Sequence, residues 1–215
     1  MSPIIKVCGM QEAENIRAVD GLPVDLMGFI FWPKSSRYVS ERPTYLPTNC
    51  KRVGVFVDAT IDDINQKIEE YRLDFVQLHG HESPDYIRAL RVVDGFPVGT
   101  RLIKAISVSS RDDIATYKGY EGIVDYFLFD TKAQLPGGNG QQFDWSVLSA
   151  YDGNTPFLLS GGIGPDDAER LRAFHCSPCF STGLCAGIDL NSRFEVAPAL
   201  KDINKLKEFI KKVRI

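Results

Sequence analysis

At 215 residues, with 44% hydrophobic and 25% charged side chains, the chain holds enough apolar matter for a full core in one domain, and its net charge of −3 leaves no basic footprint for nucleic acid. No apolar run approaches the roughly 20 residues that cross a bilayer, and five cysteines, odd in number and irregular in spacing, suit reduced thiols better than a disulfide framework. Nucleic-acid and membrane partners are excluded on these grounds, and an opening Met1-Ser2-Pro3-Ile4-Ile5 without signal-peptide character points to the cytoplasm.

In chain order, eight short runs rich in Val, Ile, Leu and Phe predict strands: Ile4 to Cys8, Leu26 to Phe31, Arg52 to Val57, Phe75 to His79, Arg101 to Ile106, Val124 to Asp130, Phe157 to Ser160 and Cys185 to Leu190. Several are apolar without alternation, as expected of parallel strands covered on both faces. Amphipathic segments lie between them. Ile61, Ile64, Ile68 and Tyr71 recur at helical spacing behind Thr60, an N-cap; Ser83-Pro84-Asp85 opens the next helix; Pro165-Asp166-Asp167 opens another after Gly164. The last segment sets Ile203, Leu206, Phe209, Ile210 and Val213 on one side and ends in Lys211, Lys212 and Arg214, which suit a helix C-terminus. Two stretches break the pattern: Phe31 to Asn49, with Pro33, Pro43 and Pro47, and the glycine-rich Gln134 to Gln142. No linker divides the chain, so residues 1–215 read as one α/β unit, a (βα)8 TIM barrel, with a doubly wound open sheet as the alternative.

Strand ends are where such a barrel keeps its chemistry. Cys8 ends the first run ahead of Gly9, and alternation puts Lys6 on the same side, where an ammonium favours the thiolate; a small buried thiol is the competing reading. Asp130 closes Val124–Phe129, where desolvation raises a carboxyl's pKa and suits a general acid; a capping or loop-tethering aspartate is the competing reading, and Asp58 and Asp189 hold comparable places after strands three and eight. Ser160-Gly161-Gly162-Ile163-Gly164 joins strand seven to a helix start, a place where backbone N–H groups bind phosphate; it matches neither the dinucleotide fingerprint nor the P-loop. Arg37 offers a planar fork for a carboxylate or is a solvated loop arginine, His79 offers a hydrogen bond to substrate or is a satisfied structural histidine, and Lys104 is an interior cation for a carboxylate partner, with no catalytic role. His175-Cys176-x-x-Cys179 lacks the second ligand pair of a zinc site, so no metal is assigned.

Taken together these segments resemble the phosphoribosylanthranilate isomerase family along nearly the whole chain. The resemblance rests on Lys6-Val7-Cys8-Gly9-Met10, Gly28 through Val39, Val53 through Asp58, Val76-Gln77-Leu78-His79-Gly80, Phe129-Asp130-Thr131, Gly137-Gly138-Asn139-Gly140, Leu159 through Ile163 and Gly187-Ile188-Asp189-Leu190-Asn191-Ser192, in that order. It implies a (βα)8 barrel that isomerises N-(5-phosphoribosyl)anthranilate by an Amadori rearrangement, without a cofactor, on a small phosphoribosyl substrate, as a monomer or homodimer. Carried over, Asp130 is the general acid at the furanose oxygen and Cys8 the base at C2. Arg37 holds the anthranilate carboxylate, Asp189 and His79 orient the substrate, and Gly161, Gly162, Asn191 and Ser192 bind phosphate. The chain departs from the family pattern at Met10, Ser36, Asn139 and Arg193, the last standing where a glycine is expected beside the anion cradle. Competing readings are a related indole-forming synthase or histidine-pathway isomerase, a barrel that only binds a phosphorylated ligand, and a zinc-binding interaction module.

Overall fold

The computed structural model describes residues 3–93, 96–131, 144–175 and 183–214. Eight parallel strands close into a barrel in sequence order: β1 (Ile4–Cys8), β2 (Leu26–Ile30), β3 (Lys51–Phe56), β4 (Phe75–Leu78), β5 (Arg101–Val108), β6 (Tyr126–Thr131), β7 (Phe157–Leu159) and β8 (Cys185–Leu190). Closure by β1 on β8, with Lys6 opposite Asp189, overturns the open doubly wound alternative. All eight predicted runs are strands, with ends displaced by a residue or two.

Each strand splits its side chains between two cores. Those facing out, such as Val7, Met27, Phe29, Val76, Leu78, Phe127 and Phe129, pack beneath the helices, whereas Leu26, Val53, Val55, Phe75, Ile103, Ala105, Leu128 and Leu158 fill the barrel interior around Cys8. This double burial explains the unbroken apolar runs in the sequence. Helices form the outer layer: α1 (Ala13–Asp20), α2 (Ile61–Tyr71), α3 (Pro84–Val92), α4 (Arg111–Ile114), α5 (Ala168–His175) and α6 (Ile203–Val213). Thr60 and Ser83 cap α2 and α3 as predicted, each side chain accepting a backbone N–H in the first turn, and Asp202 does the same for α6.

The alternation of strand and helix is less regular than the pattern implied. The stretch from Phe31 to Asn49 carries no helix; buried Asp20, at the end of α1, holds it by accepting from Tyr45 Oη at 2.7 Å and from the backbone N–H groups of Thr48 and Asn49 at 3.0 Å each. After β5 a four-residue α4 passes into a 3-10 turn, Ala115–Gly119, and the described part of the β6 to β7 connection is a 3-10 turn, Trp145–Ala150. The predicted opening at Pro165 falls short of a helix, which begins at Ala168. A hairpin of β9 (Glu195–Ala197) and β10 (Leu200–Lys201), unpredicted, follows β8 and precedes α6. The glycine-rich stretch from Gln134 to Gln142 and the Cys176/Cys179 pair lie outside the described residues, among which no cluster of His, Cys, Asp or Glu is placed to hold a metal and no helix is long and apolar enough to cross a membrane.

Candidate active site

Cys8 is the last residue of β1 and points into the barrel mouth, 3% exposed. Gly9 follows it at φ +77°, and both Gly9 and Met10 donate their N–H to the Gly28 carbonyl at 3.0 Å, a turn that a side chain at Gly9 would oppose. Across the register stands Gly28, where a Cβ would sit 2.7 Å from Cys8 Sγ. The thiol therefore owes its place to a glycine on the neighbouring strand. Below it Lys6, fully buried, stands 2.9 Å from Asp189 Oδ1.

The charges around Cys8 oppose one another. Burial pushes its thiol above the ordinary value; Lys6 and Lys201 pull it down without prevailing, and Asp189 adds to the rise. The expected help from Lys6 is thus present but outweighed. Burial also works against the Lys6 ammonium, yet Asp189 and the ionised form of Cys8 together hold it above the ordinary lysine range. Burial raises the Asp189 carboxyl, opposed by Lys6 and reinforced by Asp130. Asp189 thus lies in the electrostatic reach of both candidate groups, and it sits within β8 rather than beyond it.

Asp130 stands near the end of β6, and its carboxyl is partly exposed, 22%, rather than sealed in as the apolar run before it implied. One oxygen accepts the Thr131 N–H at 2.9 Å and the other faces His79 Nε2 at 3.3 Å. His79 Nδ1 in turn meets the Gln77 side-chain amide at 2.8 Å. Asp58, the other strand-end candidate, is occupied at the rim by His81, whose N–H and ring it engages. Lys104 has the expected carboxylate partner, buried Glu82 at 2.8 Å, but on the outer side of the barrel wall and not in its interior, because Ile103 and Ala105 take the inward parity of β5.

Arg37 is brought to the same mouth, but not as a free fork. Its Nε and Nη2 donate to the two oxygens of Glu195 at 2.8 and 2.6 Å, and it is 7% exposed. Lys201 Nζ donates to Glu195 Oε1 at 2.6 Å and to Asn191 Oδ1 at 2.8 Å, so two cations share one carboxylate. Burial alone would raise the Glu195 carboxyl, but these hydrogen bonds and charges hold it below the usual range; burial lowers Lys201. The hairpin that carries Glu195 and Lys201 carried no sequence signal, because its strands are too short for alternation to show.

Gly161 and Gly162 form the turn after β7 at φ +89° and +67°, a conformation that favours glycine, and Thr131 is packed against Gly161. The turn after β8 lies alongside: Arg193 Nε would stand 3.3 Å from a Cβ at Gly164. Asn191 has its side chain engaged by Lys201, and Ser192 opens a 3-10 turn, so this second turn offers its backbone. The structure therefore gathers every predicted site residue at the C-terminal end of the barrel and adds Gly28, Gln77, Glu195 and Lys201.

A family model described as N-(5'-phosphoribosyl)anthranilate (PRA) isomerase matches residues 5–212. An N-(5'-phosphoribosyl)anthranilate isomerase of Parabacteroides distasonis is 49% identical over 98% of this chain and 93% of its own length. The crystal structure of phosphoribosyl anthranilate isomerase from Thermotoga maritima matches with a TM-score of 0.79 at 31% identity over 98% of both chains. A phosphoribosyl anthranilate isomerase solved in complex with reduced 1-(o-carboxyphenylamino)-1-deoxyribulose 5-phosphate matches with a TM-score of 0.73 at 27% identity, again over 98% of both chains.

Proposed function

The chain belongs to the N-(5'-phosphoribosyl)anthranilate isomerase family and carries out that isomerisation in tryptophan biosynthesis, and from this premise we propose how its residues divide the work. The observation that carries the assignment is the pairing of a thiol and a carboxyl across one barrel mouth, Cys8 on β1 and Asp130 on β6, with glycine turns after β7 beside them. Residues 1–215 act as one catalytic unit, in the cytoplasm where its thiols stay reduced.

The phosphate of N-(5-phosphoribosyl)anthranilate lies on the Gly161-Gly162 turn and the backbone of Asn191 and Ser192, with Arg193 over the same place. The anthranilate carboxylate meets the edge of Arg37 that Glu195 leaves open. Asp130 in its acid form protonates the furanose ring oxygen, and the C1–O bond breaks to give a protonated Schiff base. This cation is an electron sink, and it adds a positive charge to those of Lys6 and Lys201 near Cys8, which favours the thiolate. The thiolate removes the C2 proton, the electrons move to the iminium, and the enolamine tautomerises to the ketone, 1-(2-carboxyphenylamino)-1-deoxyribulose 5-phosphate. Asp189 holds Lys6 in place and faces the reacting carbons with His79.

The test is a coupled fluorescence assay in which phosphoribosylanthranilate is generated in situ and its fluorescence followed. Wild type should consume it, with Cys8→Ala and Asp130→Ala each slowed by roughly 10²- to 10⁴-fold, the usual contribution of one acid or base. Either variant turning over within tenfold of wild type would remove that residue from its role.

A further inference from the structure

His79 has a partner on each ring nitrogen. Nδ1 lies 2.8 Å from Gln77 Nε2, and Nε2 lies 3.3 Å from Asp130 Oδ2. Gln77 is 1% exposed on β4, on the inward side with Phe75, in a strand otherwise apolar; its Oε1 is buried without a hydrogen-bond partner among the described residues. A polar side chain buried there, with half its capacity unmet, is costly unless its position serves something else. One Asp130 oxygen accepts the Thr131 N–H, and the other, able only to accept in the carboxylate, faces His79 Nε2 at 3.3 Å. A neutral imidazole satisfies an acceptor at Nε2 and a donor at Nδ1 in one tautomer only, with the proton on Nε2 and the lone pair on Nδ1.

We propose that Gln77 is a positioning residue for the isomerase reaction: its amide holds His79 in the Nε2–H tautomer, aimed at Asp130, so that the carboxylate left after proton donation falls on a waiting donor. The inference deepens the acid role assigned to Asp130 above and rests on it. The reversed amide would bring Oε1 to Nδ1, draw a proton there, and turn a lone pair, or an imidazolium, toward Asp130. The other charges around His79 are the Lys6–Asp189 pair across the barrel, within electrostatic reach of its ring, and the Lys104–Glu82 pair outside the wall, whose ammonium is taken by Glu82 and the Gly80 carbonyl. Among the described residues, Gln77 is the group hydrogen-bonded to Nδ1.

The tautomer is read by long-range 1H–15N NMR on the labelled full chain, whose three histidines are assigned with His81→Gln and His175→Gln. At a pH where the ring's 15N shifts show it neutral, wild type should have His79 protonated on Nε2 alone. Gln77→Glu, which replaces the donor with an acceptor, should convert the ring to the Nδ1–H or imidazolium signature and lower kcat by roughly 10- to 150-fold, the value of a hydrogen bond to a charged group, with KM little changed. A wild-type ring protonated on Nδ1, or a signature unmoved in Gln77→Glu, overturns the proposal. Should Gln77→Glu fail to fold, the wild-type spectrum alone decides. The acid assignment fails separately, through turnover by Asp130→Ala, and that result leaves the tautomer reading as it stands.

Discussion

Replacing Glu195 with glutamine removes one charge and almost no volume, and it should cost far more than a surface ion pair. Glu195 is the only acid shared by Arg37 and Lys201 among the described contacts, and the three side chains are 6%, 8% and 0% exposed. Glu195→Gln leaves two cations in a dry site facing a neutral amide whose NH2 is itself a donor. Breaking a buried pair in this way costs about 3–5 kcal/mol. For a chain of this size each kcal/mol moves Tm by roughly 2–4 °C, so a fall of about 6–20 °C follows. KM should rise roughly tenfold as Arg37 loses the support that turns its open edge to the substrate carboxylate, while kcat changes less, because Cys8 and Asp130 stay where they are. Thermal unfolding and steady-state fluorescence measure both. The pH dependence gives an independent sign. Glu195 has a lower pKa folded than unfolded, so its contribution is complete above the unfolded glutamate value near ~4.3 and is lost as pH falls through the folded one. The Tm gap between wild type and variant should therefore close in acid. A Tm within about 3 °C of wild type together with an unchanged KM would refute the view that this triad presents Arg37.

Three further outcomes are expected. Alkylation of Cys8 by iodoacetamide, followed peptide by peptide, should accelerate with pH to a midpoint above the ordinary thiol value of about 8.5, since burial outweighs Lys6 and Lys201; a midpoint at or below that value contradicts the charge balance drawn here. Gly28→Ala should lower kcat by at least tenfold and cost about 1–3 kcal/mol of stability, because its Cβ would stand 2.7 Å from Cys8 Sγ; wild-type turnover would show that the thiol has room to move. Arg193→Gly should raise KM and weaken inhibition by inorganic phosphate, both less so at high salt, whereas an unchanged phosphate affinity would put the guanidinium outside the anion site.

How legible the site was depends on where each group sits in the pattern. Cys8, His79 and Asp130 could be found because a strand end leaves a mark, an apolar run followed by a residue that does not belong in it. Gly161 and Gly162 left the same mark as paired glycines. Gln77 was visible in principle, as a lone polar residue at the inward parity of β4, but its meaning lies in a contact to His79 two residues on and in a carboxylate on another strand. Glu195 and Lys201 were not readable. They depend on a hairpin of three and two residues, where no periodicity exists, and on Arg37, 158 residues earlier in the chain. The sequence left the Cys8 thiolate and the buried thiol as competing readings for a related reason: alternation shows that Lys6 is near, but burial, which decides the sign, is a property of the closed barrel.

That sign has a consequence for turnover. The reaction starts from Cys8 without its proton and Asp130 with one, and ends with the two exchanged, since Asp130 gives a proton to the ring oxygen and Cys8 takes one from C2. Without substrate, burial holds the Cys8 thiol protonated, which is the Cys8 half of the second state. The two arrangements carry the same number of protons, so pH alone does not separate them. A bell-shaped profile of kcat/KM would report pair values that belong to neither residue alone. The substrate brings a cation to Cys8 and a basic oxygen to Asp130, so it favours the thiolate only once it is bound. A buried thiol above an ion pair is in this sense suited to the work: it stays a thiol in the empty site, protected from oxidants that attack thiolates, and becomes a base when the Schiff base forms above it.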